Sequence, residues 1–347
     1  MRYVLPLVLL LLAPTALLAQ EEVGVGGGED INIPVSPGLE QNTPGSLVEL
    51  YEPYDDQVVG RVTIPDDKLG VLVQPEGRTW RAFRIQGLYY TAMTVILLTI
   101  ALLGGFYLWR GTIKLESGRS GRWVPRFGSI ERFAHWTTAI SFLTLALTGL
   151  TVTFGRYLLI PILGHYTYTP LATAAKSLHN WSAIPFVIGL VLMLAVWIKD
   201  NIPSRADWLW IKKAGGMFER TGSFHPETAR FNAGQKIIFW SVILGGTTLA
   251  ISGYFLMAPF YFTGVSGMQI GHVIHSLSAV VMIAVILCHI YIGTLGMEGA
   301  FDAIGRGKVD ENWAIEHHHG WYKAQVENGS TPVEQGTPPA TDGANPT

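Results

Sequence analysis

The 347-residue chain has a single cysteine, Cys288. A disulfide framework, a cysteine-rich zinc site, an iron–sulfur cluster and a CxxCH covalent haem site are therefore all excluded within it. Charge is also scarce. Asp, Glu, Lys and Arg make up 14% of residues against 49% hydrophobic, and the net charge is −2. That balance gives no footing for nucleic-acid binding. Soluble domains carry about 25% charged residues, so the composition points to a polytopic membrane protein with polar ends.

The start, "MRYVLPLVLLLLAPTALLAQ", places Arg2 before an apolar core and small residues at Ala16 and Ala19. It reads as a signal peptide over 1–19; a retained anchor is the alternative, but the apolar core is short for a span. Residues 20–87 are acidic and rich in Gly and Pro. They read as a partly disordered periplasmic extension, with strand-like pieces at "VVGRVTI" and "LGVLVQP". The other end, 323–347, reads as a disordered cytoplasmic tail of low complexity.

Five apolar runs lie between, at about 88–109, 133–154, 178–198, 237–257 and 270–294. Each has about 20 residues or more, enough to cross a hydrocarbon core of about 30 Å. Segment 110–132 carries six basic residues and 199–236 carries seven, whereas 155–178 carries two and 258–269 none. The positive-inside rule places the two basic loops in the cytoplasm. The C-terminus is then cytoplasmic and the N-terminal extension periplasmic. Arg78, Arg81 and Arg84 oppose the rule locally but are outnumbered.

Five of the ten histidines sit in or at the ends of these runs. By depth, His135 and His289 lie towards the cytoplasmic end, and His179 and His275 towards the periplasmic end. His275 and His289 are 14 residues apart, which puts them on nearly one helix face about 21 Å apart along the axis. A lone intramembrane histidine is usually a helix-to-helix hydrogen bond. Four that pair by depth suit two irons, each with two axial imidazoles from facing helices, hence two haem b groups. Ala134, Thr138, Ser182, Ala183, Ser278 and Ala279 could make room for a macrocycle, or serve plain helix packing. His272, one turn from His275, reads as an interface residue, and Cys288 as an ordinary packed neighbour. His165 and His225 are loop residues without a partner signal. His317, His318 and His319 read as a surface cluster rather than a chelate.

Residues 126–323 resemble the cytochrome b (gamma) subunit of respiratory formate dehydrogenase. The similar motifs, in order, are "RFAHW" at 132–136, "LHNW" at 178–181, "DNIPS" at 200–204, "FNAGQKIIFW" at 231–240, the two histidines of the fifth run, and "NWAIEHHHGWY" at 312–322. The resemblance implies an all-α membrane protein. It would comprise a four-helix transmembrane dihaem cytochrome b bundle over 110–322, plus one extra N-terminal helix at 88–109. It assigns the haem ligands to His135, His179, His275 and His289, in agreement with depth. It assigns quinone binding to Asn232, with Gln235 and Lys236 as weaker candidates. Without the resemblance, Asn232 is as readily a helix N-cap.

The function so implied is an electron-transfer and quinone-reducing subunit in the bacterial inner membrane. Its partners would be a molybdenum or tungsten formate dehydrogenase subunit and an iron–sulfur subunit, for which the 20–109 extension offers a docking element. Electrons would enter at the periplasmic haem and reach quinone near the cytoplasmic one. Two other readings stay open: a cytochrome b for another periplasmic oxidoreductase such as a hydrogenase, and a haem-free transporter. The scarcity of intramembrane carboxylates weakens the transporter.

Overall fold

The computed structural model describes residues 52–54, 57–59, 77–213, 215, 228–259, 261–327, 329 and 332–335. The expected signal peptide, most of the extension and His225 lie outside them. Five helices are long and apolar enough to cross a membrane. They are α1 (Thr79–Arg110), α2 (Ser129–Leu158), α3 (Ile160–Trp197), α5 (Ala233–Met257) and α6 (Val265–Gly296). In an apolar phase every backbone polar group must be satisfied within the protein, and a continuous apolar run of about 20 residues does so alone as a helix.

Contacts divide the chain into two units, Met1–Tyr90 with Ala258–Gln269, and Thr91–Met257 with Ile270–Thr347. Among its described residues the first unit has a hairpin, β1 (Glu52–Tyr54) and β2 (Gln57–Val59), paired antiparallel with Glu52 opposite Val59. The second unit holds the bundle. Its core is built from Ala134, Phe142, Phe186, Leu190, Trp197, Phe239, Ile243 and Met282, among others, on α2, α3, α5 and α6. Small residues let the helices approach. A Cβ on Gly189 of α3 would fall 2.9 Å from the backbone nitrogen of Thr138 on α2. Large apolar side chains such as Leu97, Leu102 and Leu108 of α1 point outward, as they do where the solvent is lipid. Cys288 is exposed on α6 rather than packed as expected. An apolar solvent removes the usual penalty for turning a small thiol outward.

The third helix is longer than its apolar run. The segment expected as a loop at 155–178 is helical from Ile160, with a kink at Gly164 (φ 74°) and Pro170 and Pro185 inside it. Hydropathy marks what crosses lipid, but Ala, Leu and Lys in "LATAAKSL" favour helix whether or not they are in lipid.

A polar cap is built from the segments flanking the bundle. β3 (Arg122–Pro125) lies between β4 (Lys308–Asp310) and β5 (Glu334–Gln335), both antiparallel to it. Helices α7 (Ala300–Gly305) and α8 (Glu311–Tyr322) complete it, around Leu115, Val124, Val309, Trp313 and Trp321. The expected disordered tail is therefore partly ordered: Lys323–Glu327 is helical, β5 pairs with β3, and Lys308 forms an ion pair with Glu334. Composition alone missed a strand whose backbone is satisfied by a distant one. A short helix, α4 (Arg205–Lys212), runs between α3 and α5.

Candidate functional site

Four histidine rings come together in two pairs. His135 of α2 faces His289 of α6 with ring centroids 6.2 Å apart and planes at 57°. His179 of α3 faces His275 of α6 at 6.3 Å and 70°. Metal–imidazole bonds run about 2.0–2.1 Å, so two imidazoles gripping one ion from opposite sides put their centroids roughly 6 Å apart. Both pairs match that spacing. Among the described residues no three or more of His, Cys, Asp and Glu cluster to hold a metal. A pair alone suits an iron whose remaining ligands arrive with it, as in a haem.

Protonation at one pair follows from hydrogen bonding. Thr148 Oγ1 lies 3.0 Å from His179 Nδ1, and Ser252 Oγ lies 3.0 Å from His275 Nδ1. Each hydroxyl donates its one hydrogen to a carbonyl a turn back, Thr144 at 2.6 Å and Thr248 at 2.7 Å. Toward the imidazole it can only accept. With the hydroxyl accepting, Nδ1 carries the proton and Nε2 keeps the lone pair a metal requires. At the other pair, His135 Nδ1 is buried with no hydrogen-bond partner among the described residues. Thr148 and Ser252 were not singled out from sequence; the signal was a hydroxyl followed by glycine within an apolar run. The small residues first noted divide: Ala134, Thr138 and Ser182 are buried, and Thr138 serves the close packing of α2 on α3. His272 is half-buried one turn before His275.

Asn232, Gln235 and Lys236 open α5. Asn232 Oδ1 accepts from Gln235 N at 2.9 Å, and Gln235 Oε1 accepts from Asn232 N at 3.1 Å, a reciprocal cap. That leaves the Asn232 side-chain NH₂ as a donor. Lys236 is buried, donating to Asp207 at 2.8 Å and to the Ile202 carbonyl at 3.1 Å. Burial alone would push the Asp207 carboxyl up. Hydrogen bonds from Lys236 and Ser204, with the lysine charge, outweigh it and hold the group below the usual range.

Two linked clusters lie just before that cap. Arg230 donates to Glu131 at 2.6 Å and to Asp200 at 2.9 Å, and Glu131 also accepts from Trp197 Nε1 at 2.8 Å. Arg126 is buried among the rings of Phe127, Trp313 and Trp321. It donates to the Arg230 carbonyl at 2.6 Å and meets His318 Nε2 at 3.1 Å. Burial first, then the charge of Arg230, push its guanidinium down to about 9, with Glu131 opposing. The expected surface cluster of histidines is thus corrected at His318, which is fully buried. Its backbone leaves helical geometry (φ −142°) where Thr228 docks, and its Nδ1 lies 3.3 Å from the Ala229 carbonyl. Burial, then the Arg126 charge, hold it well below the ordinary histidine range. "HHHGWY" and "RFNAGQK" are therefore parts of one contact, which their separation in sequence hid.

Residues 126–306 match the family model described as prokaryotic cytochrome b561. Two relatives are from Escherichia coli K12. The nitrate-inducible formate dehydrogenase cytochrome b556(Fdn) subunit is 28% identical over 215 residues, 61% of this chain and 95% of that protein. The formate dehydrogenase cytochrome b556(fdo) subunit is 31% identical over 205 residues, 58% of this chain and 92% of that one. The formate dehydrogenase cytochrome b556 subunit of Haemophilus influenzae is 27% identical over 216 residues, 61% of this chain and 87% of that one. The five-helix membrane architecture and a family match over more than half the chain agree: this protein belongs to the prokaryotic cytochrome b561 family.

Proposed function

We propose that this chain is the membrane-anchoring cytochrome b subunit of a periplasmic formate dehydrogenase, linking formate oxidation on partner chains to quinone reduction at the cytoplasmic end. The observation that carries it is the two imidazole pairs at 6.2 and 6.3 Å, in a chain whose relatives are formate dehydrogenase cytochrome b556 subunits. His179 and His275 would hold one haem b, and His135 and His289 the other. Bound there, the haems supply one-electron relay chemistry. Thr148 and Ser252 keep Nε2 of His179 and His275 free of its proton. The basic loops support a cytoplasmic His135/His289 end.

At that end the Asn232 amide offers a donor for a quinone carbonyl. Gln235 fixes the amide through the reciprocal cap, and buried Lys236 ties the start of α5 to Asp207. Two protons per quinone would be drawn from the cytoplasmic side. Formate oxidation, with its molybdenum or tungsten and iron–sulfur centres, belongs to the partners, since this chain has one cysteine.

Reduced-minus-oxidised spectra of the purified full-length chain test the assignment. Two low-spin b haems are expected per chain, and one in His289→Ala. Two haems retained in that variant would sink the ligand assignment, and a colourless wild type would sink the cytochrome reading. Co-purification of a formate-oxidising partner tests the complex; a hydrogenase recovered instead would overturn its substrate.

A further inference from the structure

Two unrelated helices present the same dipeptide arrangement to a histidine. Thr148-Gly149 on α2 meets His179 of the following helix, 31 residues on from the hydroxyl. Ser252-Gly253 on α5 meets His275 of the following helix, 23 residues on. In each case the hydroxyl is 3.0 Å from Nδ1. In each case the glycine lies against the ring edge. A Cβ there would come 3.3 Å from Cε1 of His179, or 3.2 Å from Cε1 of His275. That is tighter than ordinary contact, so a side chain at either glycine would displace the ring.

Back-bonded hydroxyls are common in apolar helices. Thr144 and Thr151 of α2 make the same bond to a carbonyl a turn back. What distinguishes Thr148 and Ser252 is the imidazole beyond the bond and the glycine beside it. No such partner serves His135, whose buried Nδ1 lacks a hydrogen bond among the described residues.

We infer that Thr148 and Ser252, each with its glycine, are positioning residues that set the tautomer, orientation and basicity of His179 and His275, and thereby make theirs the lower-potential of two haem sites. The inference rests on the cytochrome reading proposed above. An acceptor on Nδ1–H draws that proton and makes Nε2 a stronger donor. A stronger imidazole donor would favour ferric over ferrous iron and lower the reduction potential of a haem held there. Two such acceptors act on one pair, while His135 of the other pair lacks any among the described residues. With haems held there, transfer between the sites would exchange one electron, ferrous for ferric, with no proton or leaving group. The ordering then favours movement from the His179/His275 site to the His135/His289 site.

The test is an optical redox titration and low-temperature EPR of the full-length, haem-loaded chain. Thr148→Val and Ser252→Ala should each raise the lower midpoint potential and shift one low-spin g-value set, leaving the other haem unmoved. Thr148→Ser and Ser252→Thr should restore both. Unshifted potentials and g-values with both haems retained would overturn the inference, as would equal shifts of both haems. If Thr148→Val loses a haem, Thr148→Ser must regain it at the wild-type potential; failure to do so would make the role mere packing and refute the proposal. A wild-type chain without a Soret band would instead remove the cytochrome reading before any variant was measured.

Discussion

Glu131 offers the sharpest test of how the polar end of the bundle is held. Its carboxylate accepts from Arg230 at 2.6 Å, from the Trp197 indole at 2.8 Å and from the Gly128 amide at 2.7 Å. It thus joins the start of α2, the end of α3 and the segment leading to Asn232. In Glu131→Ala, Arg230 keeps Asp200 and the Arg126 carbonyl, so only one charge-assisted bond is lost there, worth about 1.5–3 kcal/mol. Trp197 is 5% exposed, and its indole N–H loses its acceptor where water is scarce, costing about 1–3 kcal/mol. Gly128 lies at an exposed position and can turn to water. The loss should total about 2.5–6 kcal/mol. Glu131→Gln should lose about half of that, because its amide oxygen still accepts from one donor. Reversible unfolding in detergent, followed by tryptophan fluorescence, measures both. An alanine variant within about 1 kcal/mol of wild type, or a glutamine variant as unstable as alanine, would refute the assigned bonds.

Three further outcomes are expected. His318 is held neutral with its folded-state affinity for protons lowered, so the unfolded chain protonates first. Its contribution is complete above about pH 6.5 and is lost at up to about 1.4 kcal/mol per pH unit as pH falls below that. His318→Gln should flatten that slope in unfolding curves between pH 7.5 and 5.5; an unchanged slope would place the titration elsewhere. Gly189→Ala forces a methyl to within 3.0 Å of Thr138 backbone atoms, and overpacking of this kind costs about 1–3 kcal/mol; thermal unfolding checks it, and an unchanged midpoint would contradict the contact. Asp310 accepts from the Ser120, Gly121 and Asn312 amides, so Asp310→Ala should speed amide exchange at Ser120, Gly121 and Asn312 before the bundle helices respond.

The order of the segments and the pairing of the histidines were legible in the sequence because both follow from counting along a chain. Hydropathy is a local sum, and a helix converts residue number into distance at a fixed rise. The helical stretch at 160–177, the strand at Glu334–Gln335 and the burial of His318 were not legible. The first depends on helix propensity outside lipid, and the other two on partners more than 80 residues away.

Sequence by itself determined five helices long enough to span and which histidines pair, since a continuous apolar run of this length satisfies its own backbone in lipid as a helix. Only the tertiary structure decided that the paired rings meet at 6.2 and 6.3 Å, and that Thr148 and Ser252 stand behind one pair. A hydroxyl in an apolar run is satisfied by its own backbone. What else it touches is set by the rotation and approach of a neighbouring helix, which no single segment encodes.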